Sequence, residues 1–380
     1  MEEAGLPALA VQSQALQDCS ARGPGVDLQL CDLTGADLSN IDFTGANFFK
    51  AKLSLAKLDG SILANANLRE ANLSFATALD ANFDQADLFK ANLSYADLTG
   101  AVMTQASLLE ANLSESTFAS VDFRGADFRL SSFTDIILSQ ADLRGANLSG
   151  VSITDADFTG ADLRGANLSR ISAEEMVLID ANLSGIDFSN AKIADSQMAG
   201  ANLSLANLQG VEGEDTNLTG ADLRGADLRN IKWVGIIMEQ ADLSCFDASR
   251  CTRIDNAFLP RVNWTGANLS GASLVQANLL EGVLDQGLFA DVNLSGAYME
   301  KSSLLGARFE RAQLSSVRLK QSVADAATSF EDSNLSFADL SFVNLSGSNV
   351  SGVIWNSTTC PNLTSSNNNG GTCEGNLLPL

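Results

Sequence analysis

Six cysteines are the residues in this sequence best suited to chemistry, and they fall as three pairs close along the chain: Cys19 and Cys31, Cys245 and Cys251, Cys360 and Cys373. Such pairs suit disulfide staples, each contributing roughly 2–4 kcal/mol by closing a loop of the unfolded chain. The competing reading is free thiols, with Cys31 standing in for a small core residue. None of the pairs shows C-x₂-C spacing, which disfavours a metal site. Carboxylates are numerous enough to suggest a glycosidase-like pair, yet they recur at one slot along the chain, as solvated surface does. There is no histidine, which removes the usual general base, the Ser-His-Asp and Cys-His nucleophile systems and imidazole metal ligands. We therefore expect no enzyme activity, no cofactor and no metal.

The composition that surrounds these residues is narrow. Hydrophobic residues make up 45% of the 380 positions but aromatics only 6%, with two Tyr and three Trp. So few side-chain types imply repetition. The net charge of −23, from 46 acidic and 23 basic residues, argues against nucleic acid or an anionic membrane as a partner. No run reaches the roughly 18–20 apolar residues of a membrane span. The Met1-Glu2-Glu3 start lacks the basic region of a signal peptide, so the expectation is either a cytosolic protein or one whose leader is missing here.

The repeat that must position the cysteines and carboxylates has a period of five. From Cys31 the chain spells CDLTG, ADLSN, IDFTG, ANFFK, AKLSL, AKLDG, SILAN, ANLRE and ANLSF. A central Leu or Phe recurs at Leu28, Leu33, Leu38, Phe43 and Phe48, and so on with few breaks to Leu243. Two residues before each centre stands a small or β-branched residue, usually Ala, as at Ala36, Ala46 and Ala51. In extended backbone residues two apart share a face, so these two point inward and the Asn or Asp between them points outward. The remaining two positions collect Gly, Ser, Thr, Asn and Lys, where the chain must turn. A helix fails, because an apolar residue every five steps at about 100° per residue travels right round it. The result is a solenoid, each repeat gaining roughly 1.5–3 kcal/mol from its buried centre, and only when neighbours stack.

The centres shift register twice, first at Ile254 and then at Phe330. Each shift is one extra residue, which predicts a bulge or small loop near 245–253 and another near 320–329. Without a shift, Ser172-Ala173-Glu174-Glu175-Met176 and Glu212-Gly213-Glu214 interrupt the slots and are expected to protrude. Pro7 to about Asp18 carries apolar residues at helical spacing and predicts a short capping helix. The division expected is an N-terminal cap over 1–25, repeats over 26–355 and an irregular C-terminal cap or tail over 356–380, with Ser365 to Gly371 a polar loop.

This A(D/N)LXX pattern resembles the pentapeptide repeat family from about Val26 to Trp355, with clean copies such as ADLSN at 36–40, ANLSY at 91–95, ADLRG at 141–145, 161–165 and 221–225, and ANLSG at 146–150. The resemblance implies an all-β, right-handed, four-sided parallel β-helix with four repeats per coil. That makes about 16 coils in a rod roughly 75–80 Å long. Coils of that size would stack Asp122, Asp142 and Asp162, and with them Arg124, Arg144 and Arg164, on one face. These six form either a charged docking stripe or a ladder of mutual neighbours, each exposed pair worth under about 1 kcal/mol. Phe118, Phe123, Phe128 and Phe133 would fill one whole coil, as a packed core or as a cavity lining. The many N-x-S/T sequons are by-products of A-N-L-S, apart from Asn356 and Asn362.

Function follows mostly by subtraction. The leading expectation is a structural or protein-interaction rod with an unidentified protein partner, no membrane insertion, and a monomer as one reading of its oligomeric state. The tail TTCPNLTSSNNNGGTCEGNL resembles those of exported or thylakoid-lumen relatives from cyanobacteria. With the cysteine pairs it favours an extracytoplasmic location (thylakoid lumen, periplasm or secreted) over the cytoplasm. The alternative function, from the resemblance, is a DNA mimic that inhibits or modulates a type II topoisomerase. Its charge density counts against it, because B-DNA of the same length carries about 45 charges against a net −23 here. Ice binding fails because Thr134 and Thr154 align but Ser114 and Glu174 do not extend them.

Overall fold

In a computed structural model, which describes residues 18–378, each pentapeptide is one side of a four-sided coil. Parallel bridges link residues 20 apart on four faces, as in Asp27 to Asn47, Asp32 to Lys52, Asp37 to Lys57 and Asp42 to Ile62. On the first face they continue through Asn67, Asp87, Ser107, Asp127 and onward to Ile354. Within a coil, Ala46 N–H donates to Phe43 O at 2.9 Å across the corner, and between coils Phe48 N–H donates to Asn67 O at 2.7 Å. The Asn or Asp preference has a local cause: the outward side chain accepts from the backbone N–H two residues on, as Asn72 does from Ser74 at 3.1 Å. That bond pre-forms the turn. The second turn residue adopts a left-handed φ, for example Asn65 at 56°, which suits Asn, Asp and Gly.

Ala and Leu slots make one continuous core along the rod, with Ala66 and Leu68 both essentially inaccessible. Phe118, Phe123, Phe128 and Phe133 are fully buried with successive ring centroids 5.2, 4.9 and 5.4 Å apart, so they are packed core. Continuous strand structure is confined to one face over five turns: β1 (Ser132–Thr134), β2 (Ser152–Thr154), β3 (Ser172–Glu174), β4 (Lys192–Ala194), β5 (Glu212–Glu214) and β6 (Lys232–Val234), parallel and in that order. Of the expected run of about 16 coils, among the described residues only this stretch forms an extended sheet, and isolated bridges join the rest.

Three sequence expectations need correction. The two stretches expected to protrude are β3 and β5, in register with their neighbours. Met176 occupies the small slot fully buried. The missing side chain of Gly213 is compensated by Trp233 one coil on: a Cβ on Gly213 would sit 2.6 Å from the Trp233 Nε1. The first register shift is larger than one residue. Asp227 bridges to Arg253, and the separation across this jog is 26 rather than 20, so a whole loop is extruded. The second jog does add a single residue, Gln313 and Asn334 being 21 apart. Both jogs are closed by a buried threonine in the inward small slot, Thr252 and Thr328. The Thr252 hydroxyl lies 3.0 Å from Leu223 O and 2.9 Å from Ser244 O, and Thr328 Oγ1 donates to Leu304 O at 2.8 Å.

At the N-terminal end Cys19 is bonded to Cys31; residues 7–17 of the expected capping helix lie outside the described residues. At the C-terminal end the polar segment packs down as a cap. Ser366 is buried, its N–H donates to Thr358 O at 2.8 Å, and Leu345 N–H donates to Leu377 O at 2.9 Å. The Cys360–Cys373 disulfide is buried beneath it.

Candidate interaction surface

With the interior filled, any chemistry belongs to the outward side chains. Among the described residues no group of His, Cys, Asp and Glu is arranged to hold a metal ion, and no helix is long and apolar enough to cross a membrane.

The Asp–Arg stripe stands where the 20-residue coil puts it. Each arginine grips the aspartate of its own repeat through two atoms: Arg144 Nε to Asp142 Oδ1 at 2.8 Å and Nη2 to Oδ2 at 2.6 Å. Arg124 holds Asp122 and Arg164 holds Asp162 in the same way. A weaker contact reaches the next coil, Arg124 Nε to Asp142 Oδ2 at 3.8 Å. The Arg144 hydrogen bond holds the Asp142 carboxyl below the usual range; at Asp162 partial burial pulls upward but Arg164 and its backbone N–H outweigh it. The same clamp recurs at Asp127–Arg129, Asp222–Arg224 and Asp227–Arg229. Each of these clamps is charge-neutral.

A second column, missed in the sequence, occupies the corner that follows β1–β5. Glu115, Asp135, Asp155, Glu175, Asp195 and Asp215 come one per coil, all exposed and all with left-handed φ, from 43° at Asp215 to 58° at Glu115. Adjacent coils are stacked about 4.8 Å apart. No ion pair engages any of the six. Glu175 shares a hydrogen bond with Asp155, which raises its pKa above the ordinary carboxylate value. Below this row the same corner carries Leu55, Phe75 and Tyr95, which are 60%, 52% and 46% exposed. The Phe75 and Tyr95 rings lie parallel with centroids 4.7 Å apart, and the Tyr95 hydroxyl donates to Glu115, joining the apolar part to the acidic part. Beside the ridge is a shallow depression of about 540 Å³ whose charged lining is Glu174, Lys192, Asp195, Glu212, Glu214 and Lys232. Writing the sequence in rows of 20 would have shown the column; rows of five hide it.

The third feature is the extruded loop, closed by Cys245–Cys251. Phe246 N–H donates to Arg250 O at 2.7 Å, and the guanidinium groups of Arg250 and Arg224 lie over the Phe246 ring, 4.7 and 5.7 Å from its centroid. Asp247 accepts from the Arg250 side chain, then from Ser249, which keeps its carboxyl far below the ordinary range. All three cysteine pairs of the sequence are thus bonded, and no free cysteine occurs among the described residues.

A family model described as pentapeptide repeats matches residues 27–65, 66–105, 96–135, 136–170, 177–210, 196–232, 221–251, 250–279, 288–323 and 326–354. A search of the curated proteins finds no match. Among solved structures the chain is similar to HetL, a pentapeptide repeat protein involved in heterocyst differentiation regulation from the cyanobacterium Nostoc sp. strain PCC 7120. The identity is 24% over 76% of this chain and 92% of that one, with a TM-score of 0.21. It is also similar to QnrB1, a plasmid-mediated fluoroquinolone resistance protein, at 17% identity over 53% of this chain and 90% of that one, TM-score 0.28. A pentapeptide repeat protein of the Arabidopsis thaliana thylakoid lumen aligns at 26% identity over 37% and 66% of the two chains, TM-score 0.09.

Proposed function

The chain belongs to the pentapeptide repeat family, whose members are in general non-enzymatic, and from this premise we propose that it works without catalysis, as a rod that binds a protein partner along one corner. It is a structural or interaction protein. The observation that carries the proposal is the corner column itself, in which three apolar residues, Leu55, Phe75 and Tyr95, are followed by six acidic ones from Glu115 to Asp215. No Lys or Arg interrupts it between Gly35 and Gly235. Exposed like charges stacked this closely cost stability and contribute nothing to the core, so their use lies outside the fold. The complementary partner is a protein surface with an apolar anchor and a row of cationic groups.

Three disulfides support an oxidising, extracytoplasmic compartment such as a thylakoid lumen, a periplasm or the exterior. The Asp122, Asp142 and Asp162 column lends the DNA-mimic alternative no support, because its arginines neutralise it.

The test is quantitative capture from a native extract by three immobilised proteins. One is wild type; one carries Asp135→Asn, Asp155→Asn, Glu175→Gln, Asp195→Asn and Asp215→Asn; one carries Arg124→Gln, Arg144→Gln and Arg164→Gln. A salt-sensitive partner held by the first and third but lost by the second is expected. A partner held equally by all three removes the corner from the account.

A further inference from the structure

We propose that the Cys245–Cys251 disulfide is a redox-addressable latch, which a dithiol opens without melting the rod. Three observations carry this. The first is access. Cys31, Cys360 and Cys373 are 2%, 0% and 0% exposed, so each terminal disulfide has at least one sulfur-bearing residue sealed in the core, whereas Cys245 and Cys251 are both half-exposed. Thiol–disulfide exchange needs a nucleophile to reach a sulfur, so the middle bond reacts first, then Cys19–Cys31, then Cys360–Cys373.

The second observation is that the coil does not depend on this bond. Thr252, fully buried, holds the neck of the loop from within. Its hydroxyl is within hydrogen-bonding distance of Ser244 O on the same coil and Leu223 O on the preceding one, and it accepts from Gly225 N–H at 3.0 Å. The ladder resumes at once, Arg253 N–H donating to Ala226 O at 3.0 Å. The terminal bonds differ: each ties an irregular end segment to the last regular coil.

The third is what the latch holds shut. Phe246 and Arg250 are folded back over Gly225, where a Cβ would sit 2.9 Å from the Phe246 Cβ and 3.1 Å from Arg250 O. Opening the bond leaves an aromatic and a cationic side chain on a free loop in the middle of a flat-sided rod. In the exchange, one thiolate of the dithiol attacks the Sγ of Cys245 or Cys251 and expels the other as a thiolate. The second thiol of the reagent then resolves the mixed disulfide. Two electrons and two protons pass to the protein, and the dithiol leaves as its own disulfide.

The experiment treats the oxidised full-length protein with graded dithiothreitol under native conditions, traps thiols with N-ethylmaleimide and maps them by mass spectrometry. Cys245 and Cys251 should label at least about tenfold faster than the other four, and the native circular dichroism spectrum should be kept when they alone have reacted. Reduction of all three bonds at one rate, or loss of that spectrum with the first, overturns the proposal. In a second arm, Cys245→Ser with Cys251→Ser should fold with an unchanged circular dichroism spectrum and be cut by trypsin after Arg250 about tenfold faster than the oxidised wild type. A double variant that does not fold, or that resists trypsin as the wild type does, overturns it too.

Discussion

The column Asp122, Asp142 and Asp162 and the column Asp135, Asp155 and Glu175 climb the same coils on different sides, each setting one carboxylate above another every 20 residues. In the first, every acid has an arginine two residues on whose two nitrogens close on its two oxygens. In the second, the residue two on is the outward one of the next repeat, Ile137, Asp157 or Val177, so no arginine stands where the clamp needs one. A β-helix propagates identical neighbours up each face, so any outward charge must be compensated within its own repeat or be repelled by its own copies. The clamped column shows the compensation that the fold requires. The bare column shows a place where it was withheld, and the proposed binding corner rests on that difference.

If the two columns differ only in their outer shell, the core beneath them must be equally strong. Leu143 lies under the clamped column and Ile153 under the face that leads to the bare one, and both are essentially inaccessible. Leu143→Asp and Ile153→Asp should each cost about 3–5 kcal/mol in urea unfolding, by burying an unpaired charge. A much milder effect at Ile153 would mean that the β1–β6 face is a soft hinge, and the comparison would then be between two cores rather than two surfaces.

The next effect is smaller and opposite in sign in the two columns. Arg144→Glu removes one clamp and adds a fourth negative charge among Asp122, Asp142 and Asp162, so the thermal midpoint should fall by about 1–3 °C. Asp155→Asn removes a repulsion and breaks no ion pair, so its midpoint should rise. Calorimetry on both decides. If Asp155→Asn also lowers the midpoint, the bare column is satisfied by contacts the comparison does not include.

Much of this was legible in the sequence, and the rest was hidden for identifiable reasons. The slots of Ala66 and Leu68, the outward Asn67 and the turn at Asn65 follow from side-chain type alone, because each residue meets copies of itself above and below. The Arg144–Asp142 clamp was legible for the same reason. Gly213 was not: as a single letter it reads as a break, and only Trp233 from the next coil makes it a good core position. The loop at Cys245 was underestimated because a six-residue extrusion and a one-residue bulge leave the same register modulo five, and composition cannot tell them apart. The acidic corner escaped because its period is four repeats, and its residues hold the ordinary turn position in every one of them.

The smallest expected effect is the one that separates the columns most cleanly, because it depends on protons alone. Asp142 and Asp162 have folded pKa values below their ordinary 3.8. Their ionised forms are bound more tightly in the folded state, so the stability they contribute is present above pH 3.8 and is lost as pH falls through the folded values. Glu175 is the reverse. The hydrogen bond that protonated Glu175 donates to Asp155 raises its pKa above the ordinary 4.5, so the folded state holds the proton more tightly, and the contribution is present below pH 4.5 and lost as pH rises through the folded value. Thermal midpoints between about pH 3 and pH 7 on wild type, Glu175→Gln and the triple variant Arg124→Gln, Arg144→Gln and Arg164→Gln should therefore diverge at opposite ends. Glu175→Gln keeps a neutral group in place and should match the wild type in acid while exceeding it near neutrality. The triple variant should approach the wild type as pH falls towards the folded values of Asp142 and Asp162, and fall below it near neutrality. A constant offset for Glu175→Gln across the range would mean that its effect comes from packing or turn propensity rather than from charge, and the corner would then lose its claim to be a stack of uncompensated carboxylates.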